Sequence, residues 1–295
     1  MLAMVRGTIP RQPARTGRQE GVHKPATKTK NIAVSKTGKK APVLPGQKKS
    51  ARKGAKAASK AHTKTAMSPA YNPTSPERIH QILKRLDAAY PNATCALRHK
   101  SAWELLVATI LSAQCTDARV NMVTPELFRK YPTVRDFAAL TPEELEPDIK
   151  STGFFRNKAK SIVGAARQIL DVFGGKVPDT MEELLVLPGV ARKTANVVLG
   201  TWFGKADGVV VDTHVHRISR RLELTTNDDP QKIEQDLMNV IPRDKWIIFA
   251  HQVILHGRAL CVARQPKCAE CPLENICHAA DKAWSTVEVH ETAQP

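Results

Sequence analysis

Four of the six cysteines in this 295-residue chain, Cys261, Cys268, Cys271 and Cys277, fall within seventeen residues in the spacing C-x6-C-x2-C-x5-C. Thiols crowded onto one short loop point to metal ligation. A disulfide framework fits poorly, because a basic chain with no secretory signal is expected in a reducing compartment. Four thiolates suit a closed tetrahedral zinc site, and four cysteines on one compact loop suit an iron-sulfur cube equally well; ligand chemistry leaves both open. Between the first two ligands, Arg264 and Lys267 lie on a turn tethered at both ends, which can grip phosphate or simply carry two solvated charges. Cys95 and Cys115, in apolar stretches, are expected to be small core residues.

A second chemistry-bearing stretch is LPGVARKTANVVLG, Leu187 to Gly200. Its Pro-Gly turn joins a short helix (Met181 to Val186) to one that begins near Ala191. Residues 181–203 therefore read as a helix-hairpin-helix whose second N-terminus offers N–H groups to an anion. Gly189, Ala191 and Arg192 would contact that anion, a backbone phosphate in a DNA-binding protein. Arg192 and Lys193 open the helix at its positive end, where a cation costs about 0.3–1 kcal/mol relative to an anion. Both neighbours disfavour the ammonium form of Lys193 and favour the neutral amine that attacks carbon; the plainer alternative is a second phosphate-contacting lysine. Asp212, in VVVDTHVHR, is an expected N-cap. A carboxylate held there near such an amine could also stabilise developing positive charge or move protons. His214 and His216 are poor metal ligands, since H-x-H at a helix start points the rings apart; His214 is expected to hydrogen-bond locally or touch DNA.

Helices must position these groups. From Ser75 onward start signals are explicit and strand-like alternation is nearly absent, which predicts an all-α fold. Ser75-Pro76 opens a helix with the apolar face Ile79, Ile82, Leu83, Leu86 and Tyr90. Ser101 with Glu104, Thr141 with Glu144 and Thr180 with Glu183 have the spacing of capping boxes. A helix bearing Ile162, Val163, Ala166, Ile169, Leu170 and Phe173 stops at Gly174-Gly175. Further helices begin near Asp212 and Asp229-Pro230, and a long apolar one spans Trp246 to Leu255 before Gly257. No repeat of fixed period is present.

The net charge of +17 is concentrated upstream of these helices. Residues 1–75 hold 17 lysines and arginines against one acid, Glu20, whereas the remainder holds 28 basic and 27 acidic residues. Residues 1–75 lack the apolar periodicity that would offset the entropy of ordering, and read as a disordered basic tail; residues 286–295 read as a disordered C-terminus. A transit peptide, a nuclear signal and a solubilising segment are alternatives, but so many cations attract nucleic acid through counterion release, and a DNA-tethering arm is favoured. No apolar run reaches the ~18 residues of a spanning helix, and WIIFAHQVIL is short and carries His251. The chain is expected to be soluble and monomeric, with no membrane partner.

LPGVARKTANVV, VDTHVHR about twenty residues later and the cysteine spacing together closely resemble the endonuclease III family of helix-hairpin-helix DNA glycosylases. LSAQCTDARVN (Leu111 to Asn121) and TGFFRNKAKSI (Thr152 to Ile162) extend the resemblance, so that five segments agree in order over residues 76–280. It implies a six-helix domain (95–205) and an iron-sulfur domain built from 76–94 plus 206–285. DNA would lie across the groove between them, with Lys193 and Asp212 on facing walls. It implies a bifunctional base excision repair enzyme that removes oxidised pyrimidines from duplex DNA and cleaves 3′ to the abasic site by β-elimination. Lys193 matches the nucleophile that forms the Schiff base, and Asp212 the catalytic aspartate. The resemblance further implies a 4Fe-4S cluster on Cys261, Cys268, Cys271 and Cys277. Gln114 would fill the space left by the extruded base, and the Gly153-Phe154 loop would wedge the opposite strand.

Two positions depart from the family pattern. Members usually read L-P-G-V-G, and Ala191 stands at the second glycine; where positive φ or close phosphate approach is required, alanine costs about 1 kcal/mol. Phe154 stands where relatives often carry an aliphatic side chain. The expected compartment is the cytoplasm, at the nucleoid, in a bacterium, and the nucleus or mitochondrion in a eukaryote. The alternatives are a monofunctional glycosylase of the same fold, which typically lacks the lysine, and a non-catalytic iron-sulfur DNA-binding or redox-sensing module, which would tolerate its loss.

Overall fold

Hydroxyl and carboxylate caps set where most of the helices begin. A computed structural model describes residues 71–283; nearly all of the basic tail and the C-terminal 284–295 lie outside the described residues, and with them the expectation that both are disordered. Among the described residues the fold is all-α, as expected, with no strand. The helices are α1 (Pro76–Ala89), α2 (Ala102–Leu111), α3 (Asp117–Lys130), α4 (Val134–Ala139), α5 (Pro142–Ile149) and α6 (Phe155–Phe173), then α7 (Met181–Leu185), α8 (Arg192–Thr201), α9 (Thr213–Arg221), α10 (Pro230–Val240) and α11 (Trp246–Ala259).

Ser75 accepts a hydrogen bond from the Arg78 N–H at the start of α1, and Thr141 with Glu144 forms a complete capping box at α5. The other two expected boxes are half-made. Ser101 caps the Glu104 N–H, but the Glu104 carboxylate accepts from the Lys100 N–H at 2.6 Å. Thr180 caps the Glu183 N–H, and Glu183 takes the Thr180 hydroxyl at 2.8 Å. A complete box at Thr133 and Asp136 opens the six-residue α4, which the spacing rule passes over because it seeks Glu or Gln at the third position. α6 ends as expected on Gly174 in the left-handed region.

Buried apolar side chains form two cores. The first draws on α2 to α8 and centres on Leu105, Leu106, Phe137, Ile162 and Leu199. The second draws on α1, α9, α10 and α11 and includes Ile82, Leu86, Val215, Leu237 and Phe249. The first contains seven helical segments, the short α4 among them. Both cores belong to the unit that begins at Ala66. α4 and α5 pack along α6, whose alanines Ala159, Ala165 and Ala166 are fully buried.

Three boundaries differ from expectation. The tail ends before Tyr71, whose hydroxyl donates to Glu223 and whose ring meets His278 edge-on at 4.8 Å between centroids. Cys95 and Cys115 are half-buried at the edge of the first core rather than inside it. α11 runs through Gly257 to Ala259 instead of stopping there. That glycine is a contact point: a Cβ would lie 2.7 Å from His214 Nδ1 and 2.9 Å from Ile218 Cδ1, so α9 crosses α11 where it has no side chain. Gly257→Ala is thus expected to destabilise the protein by about 1–3 kcal/mol in chemical denaturation, overpacking outweighing alanine's better helix propensity. An unchanged or raised midpoint would mean that the two helices can separate at no cost.

Candidate active site and nucleic-acid interface

Lys193 is the second residue of α8, in the first core, and Asp212 is the N-cap of α9, in the second. Both open on one cavity of about 100 Å³, together with Cys95, Asp117, His251 and Arg258. The structure thus brings the two expected catalytic side chains to a shared space between the cores. Asp212 is also the expected cap: its Oδ1 accepts from the N–H groups of His214 and Val215, each at 2.8 Å. Two backbone donors on one oxygen fix the carboxylate's orientation. Among the described residues no side-chain hydrogen bond or ion pair holds the exposed Lys193 amine. Across the cavity, Arg258 of α11 donates to Asp117 at the start of α3 at 2.5 Å, tying the two cores together.

Arg192 differs from Lys193 in having a partner. Its Nε donates to Glu234 Oε2 at 2.8 Å, and Asn196 donates to Glu234 Oε1 at 2.8 Å. Glu234 is only 5% exposed, and its hydrogen bond and charge raise the Arg192 pKa above the ordinary guanidinium value. The paired charge of Arg192 is therefore a weaker neighbour to Lys193 than the bare dipeptide suggests. Gly208 makes the pairing possible, because a Cβ there would lie 1.9 Å from Glu234 Oε1. Sequence spacing carried no signal for this network, whose members are up to 42 residues apart.

In the hairpin turn Gly189 has φ +76°, and a Cβ would meet the Ser161 side chain at 2.5 Å, so glycine is required twice over. Ala191 is different. With φ −97° and ψ 169° it is extended, and the expected cost of a missing glycine conformation does not arise. Alanine also supplies no side-chain cap, which leaves the first N–H groups of α8 open to an external anion.

Gln114, Phe154, Lys158 and Gly189 line a second depression of about 260 Å³. Gln114 (φ 53°), Gly153 (φ 70°) and Phe154 (φ 48°) are all left-handed, and Phe154 is 62% exposed. Non-glycine residues held in that region cost free energy and gather at functional sites. His214 donates its N–H to Asp212, and its ring meets Arg217 Nη2 at 3.3 Å and packs over Gly257; it lines neither cavity. Arg264 and Lys267 are exposed on the cysteine loop, which the Lys267 N–H closes onto the Leu260 carbonyl at 3.0 Å.

The four clustered cysteines surround a separate cavity of about 30 Å³. None is in a disulfide, and among the described residues no three His, Cys, Asp or Glu side chains converge as a single-ion site does. Four thiols lining one cavity suit an iron-sulfur cluster that they would hold between them. Hydrogen-bond donors reach the sulfurs as thiolate ligands require: Arg221 Nη1 lies 3.2 Å from Cys261, and the Leu273 N–H 3.4 Å from Cys271. Burial pushes the Cys271 thiol up to about 12, so bound cations are what would make its thiolate stable.

Comparison with known proteins agrees with this geometry. Residues 107–243 match the model of the HhH-GPD superfamily of base excision DNA repair proteins, and residues 261–277 that of the iron-sulfur binding domain of endonuclease III. The chain is 56% identical over 204 residues to endonuclease III of Synechocystis, covering 69% of this chain and 93% of that one. It is 45% identical over 207 residues to endonuclease III of Bacillus subtilis, covering 70% and 94%. A solved structure of a trapped endonuclease III–DNA covalent intermediate is similar at TM-score 0.66 and 44% identity, covering 69% and 96%.

Sequence reasoning did not single out His251 as part of the cavity. Burial lowers its pKa below the ordinary 6.5, so it presents a neutral imidazole and adds no cation beside Lys193. The folded form resists a proton that the unfolded chain accepts. The group's contribution to stability is therefore complete above pH 6.5 and is lost progressively as pH falls below it. His251→Gln is expected to flatten the decline of the denaturation midpoint below pH 6.5; an unchanged slope would refute the assignment.

Proposed function

The chain belongs to the endonuclease III family, and on that footing we propose how its own residues carry out base excision repair. It is a bifunctional DNA glycosylase and abasic-site lyase that binds DNA and carries a 4Fe-4S cluster. The observation that carries the residue assignment is that Lys193 and Asp212, from helices of different cores, open on one cavity.

The neutral amine of Lys193 attacks C1′ of an extruded oxidised pyrimidine nucleoside. A C–N bond to the protein forms as the glycosidic bond breaks, and the base leaves with a proton. Asp212, oriented by its two cap bonds, stabilises the positive charge that develops at C1′ and assists proton movement. The C1′–O4′ bond then opens, the ring oxygen taking up a proton, and the protonated Schiff base so formed acidifies the C2′ hydrogen. Its removal expels the 3′ phosphate and cuts the strand 3′ to the lesion, and hydrolysis returns the amine. The uncapped start of α8, with Gly189 and Arg192, holds a backbone phosphate, while Gln114 and Phe154 enter the duplex from the adjoining depression. Cys261, Cys268, Cys271 and Cys277 would hold the cluster, which would cross-link the loop that presents Arg264 and Lys267 to the DNA backbone, and His214 braces the start of α9. The proposed substrate is double-stranded DNA bearing oxidised pyrimidines or abasic sites. We take the acting species to be a monomer at the cytoplasmic nucleoid, in keeping with the bacterial relatives; among the described residues no helix is long and apolar enough to cross a membrane.

Borohydride reduction during incubation with DNA containing thymine glycol or an abasic site is expected to trap the protein covalently, and Lys193→Ala to abolish trapping. Equal trapping of the alanine variant would remove Lys193 from the mechanism; trapping of neither would leave a non-catalytic module. The basic tail is proposed to neutralise further phosphates. Deleting residues 1–70 should flatten the dependence of log K on log[salt] by about 0.9 for every phosphate that the tail neutralises. An unchanged slope would end the tether idea.

A further inference from the structure

Lys158, in the first turns of α6, is a cation that no carboxylate among the described residues pairs with. It is 4% exposed, and its ammonium donates to two backbone carbonyls, Leu111 O and Thr152 O, each at 2.8 Å. Leu111 is the last residue of α2, and three residues later the chain reaches Gln114. Thr152 closes a short 3₁₀ turn, Lys150–Thr152, and is followed directly by Gly153 and Phe154. One side chain therefore fastens the roots of both left-handed loops, which are about forty residues apart in sequence and share one depression.

The arrangement is a poor choice if stability is its only purpose. A buried ammonium is costly even when hydrogen-bonded, and an apolar side chain of similar length would fill the same volume without desolvating a charge. Burial accordingly disfavours the charged form. What the ammonium offers is geometry, since it presents several donors in a small sphere and the carbonyls at the end of α2 carry the negative end of the helix dipole.

We propose that Lys158 is a positioning residue for base extrusion, holding the Gln114 loop and the Gly153-Phe154 loop at a fixed separation so that both enter the duplex together. This rests on the reading of those loops as the inserting elements. Lys158 touches neither substrate nor the reacting atoms; it acts through the two loops.

The test compares kcat/KM on a fully paired thymine-glycol duplex with kcat/KM on the same lesion in a bulge, where the base is already unstacked. The fluorescence of 2-aminopurine opposite an abasic analogue reports loop insertion independently. Lys158→Met is expected to lose about 10- to 100-fold on the paired duplex and less than about 3-fold on the bulge, with a diminished fluorescence rise on binding. A merely structural role would lower both substrates alike, and equal losses, or none, overturn the proposal. Gln114→Ala and Phe154→Ala run in parallel. If they show the paired-duplex defect and Lys158→Met does not, the proposal fails while the loop reading stands. If neither loop variant shows it, the loop reading fails and takes the proposal with it. Should Lys158→Met not fold by thermal melting, Lys158→Leu, which likewise removes both donations, is judged by the same ratio.

Discussion

The placement of Lys193 against the second core depends on the carboxylate of Glu234. It lies on α10 in the second core and accepts hydrogen bonds from Arg192 and Asn196 on α8 in the first. The contact falls one residue from Lys193, so it fixes where the amine stands relative to the core that carries Asp212. A carboxylate this buried is tolerated only while its partners remain in place, which makes the joint resistant to sliding. Gly208 is the other half of the constraint, because any side chain there would collide with the carboxylate. Arg192, which looks misplaced at a helix start, is therefore the anchor that lets its neighbour remain unpaired.

Around this joint the chain forgoes local stability at defined places. Most helix starts are capped by Ser, Thr or Asp, but α8 begins on alanine and α6 on a left-handed phenylalanine, and neither has a side-chain cap. Those two starts border the depression with Gln114 and Gly189. Open N–H groups, left-handed backbone and an exposed aromatic ring are each unfavourable in an isolated domain. Gathered on one face, they make the surface on which the proposed insertion into DNA rests.

Local signals were legible in the sequence, and long-range ones were not. The N-caps at Ser75, Asp212 and Asp229, the glycine stop at Gly174 and the cysteine spacing depend on residues a few positions apart, which is why they could be read from the chain. Gly257 was read as a helix end because that is glycine's commonest role, whereas here it admits His214 from a helix about forty residues earlier. Of the two doubts that Ala191 raised, a need for positive φ is answered only by its extended backbone in the fold. Lys158 and Glu234 gave no pattern at all, since a buried charge is recognised by its partners, and these come from other elements. The expectation that Lys193 and Asp212 are the catalysts came from the family resemblance; their meeting in one cavity needed the fold.

The cysteine loop joins the same construction through two helices. α9 begins at Asp212, on the catalytic cavity, and ends at Arg221, which donates to Cys261 Sγ, to the Val262 carbonyl at 2.7 Å and to Asp281 at 2.6 Å. α11 runs beside it, with His251 and Arg258 at the catalytic cavity and His256 Nε2 3.5 Å from Cys271 Sγ. The two helices cross where Gly257 lets them approach most closely, so neither can shift along its axis without disturbing the other. An iron-sulfur cluster that draws four cysteines together thereby fixes the far ends of the helices that hold Asp212 and His251. A cluster there would thus support the proposed chemistry from a distance, by making rigid the wall on which Asp212 stands.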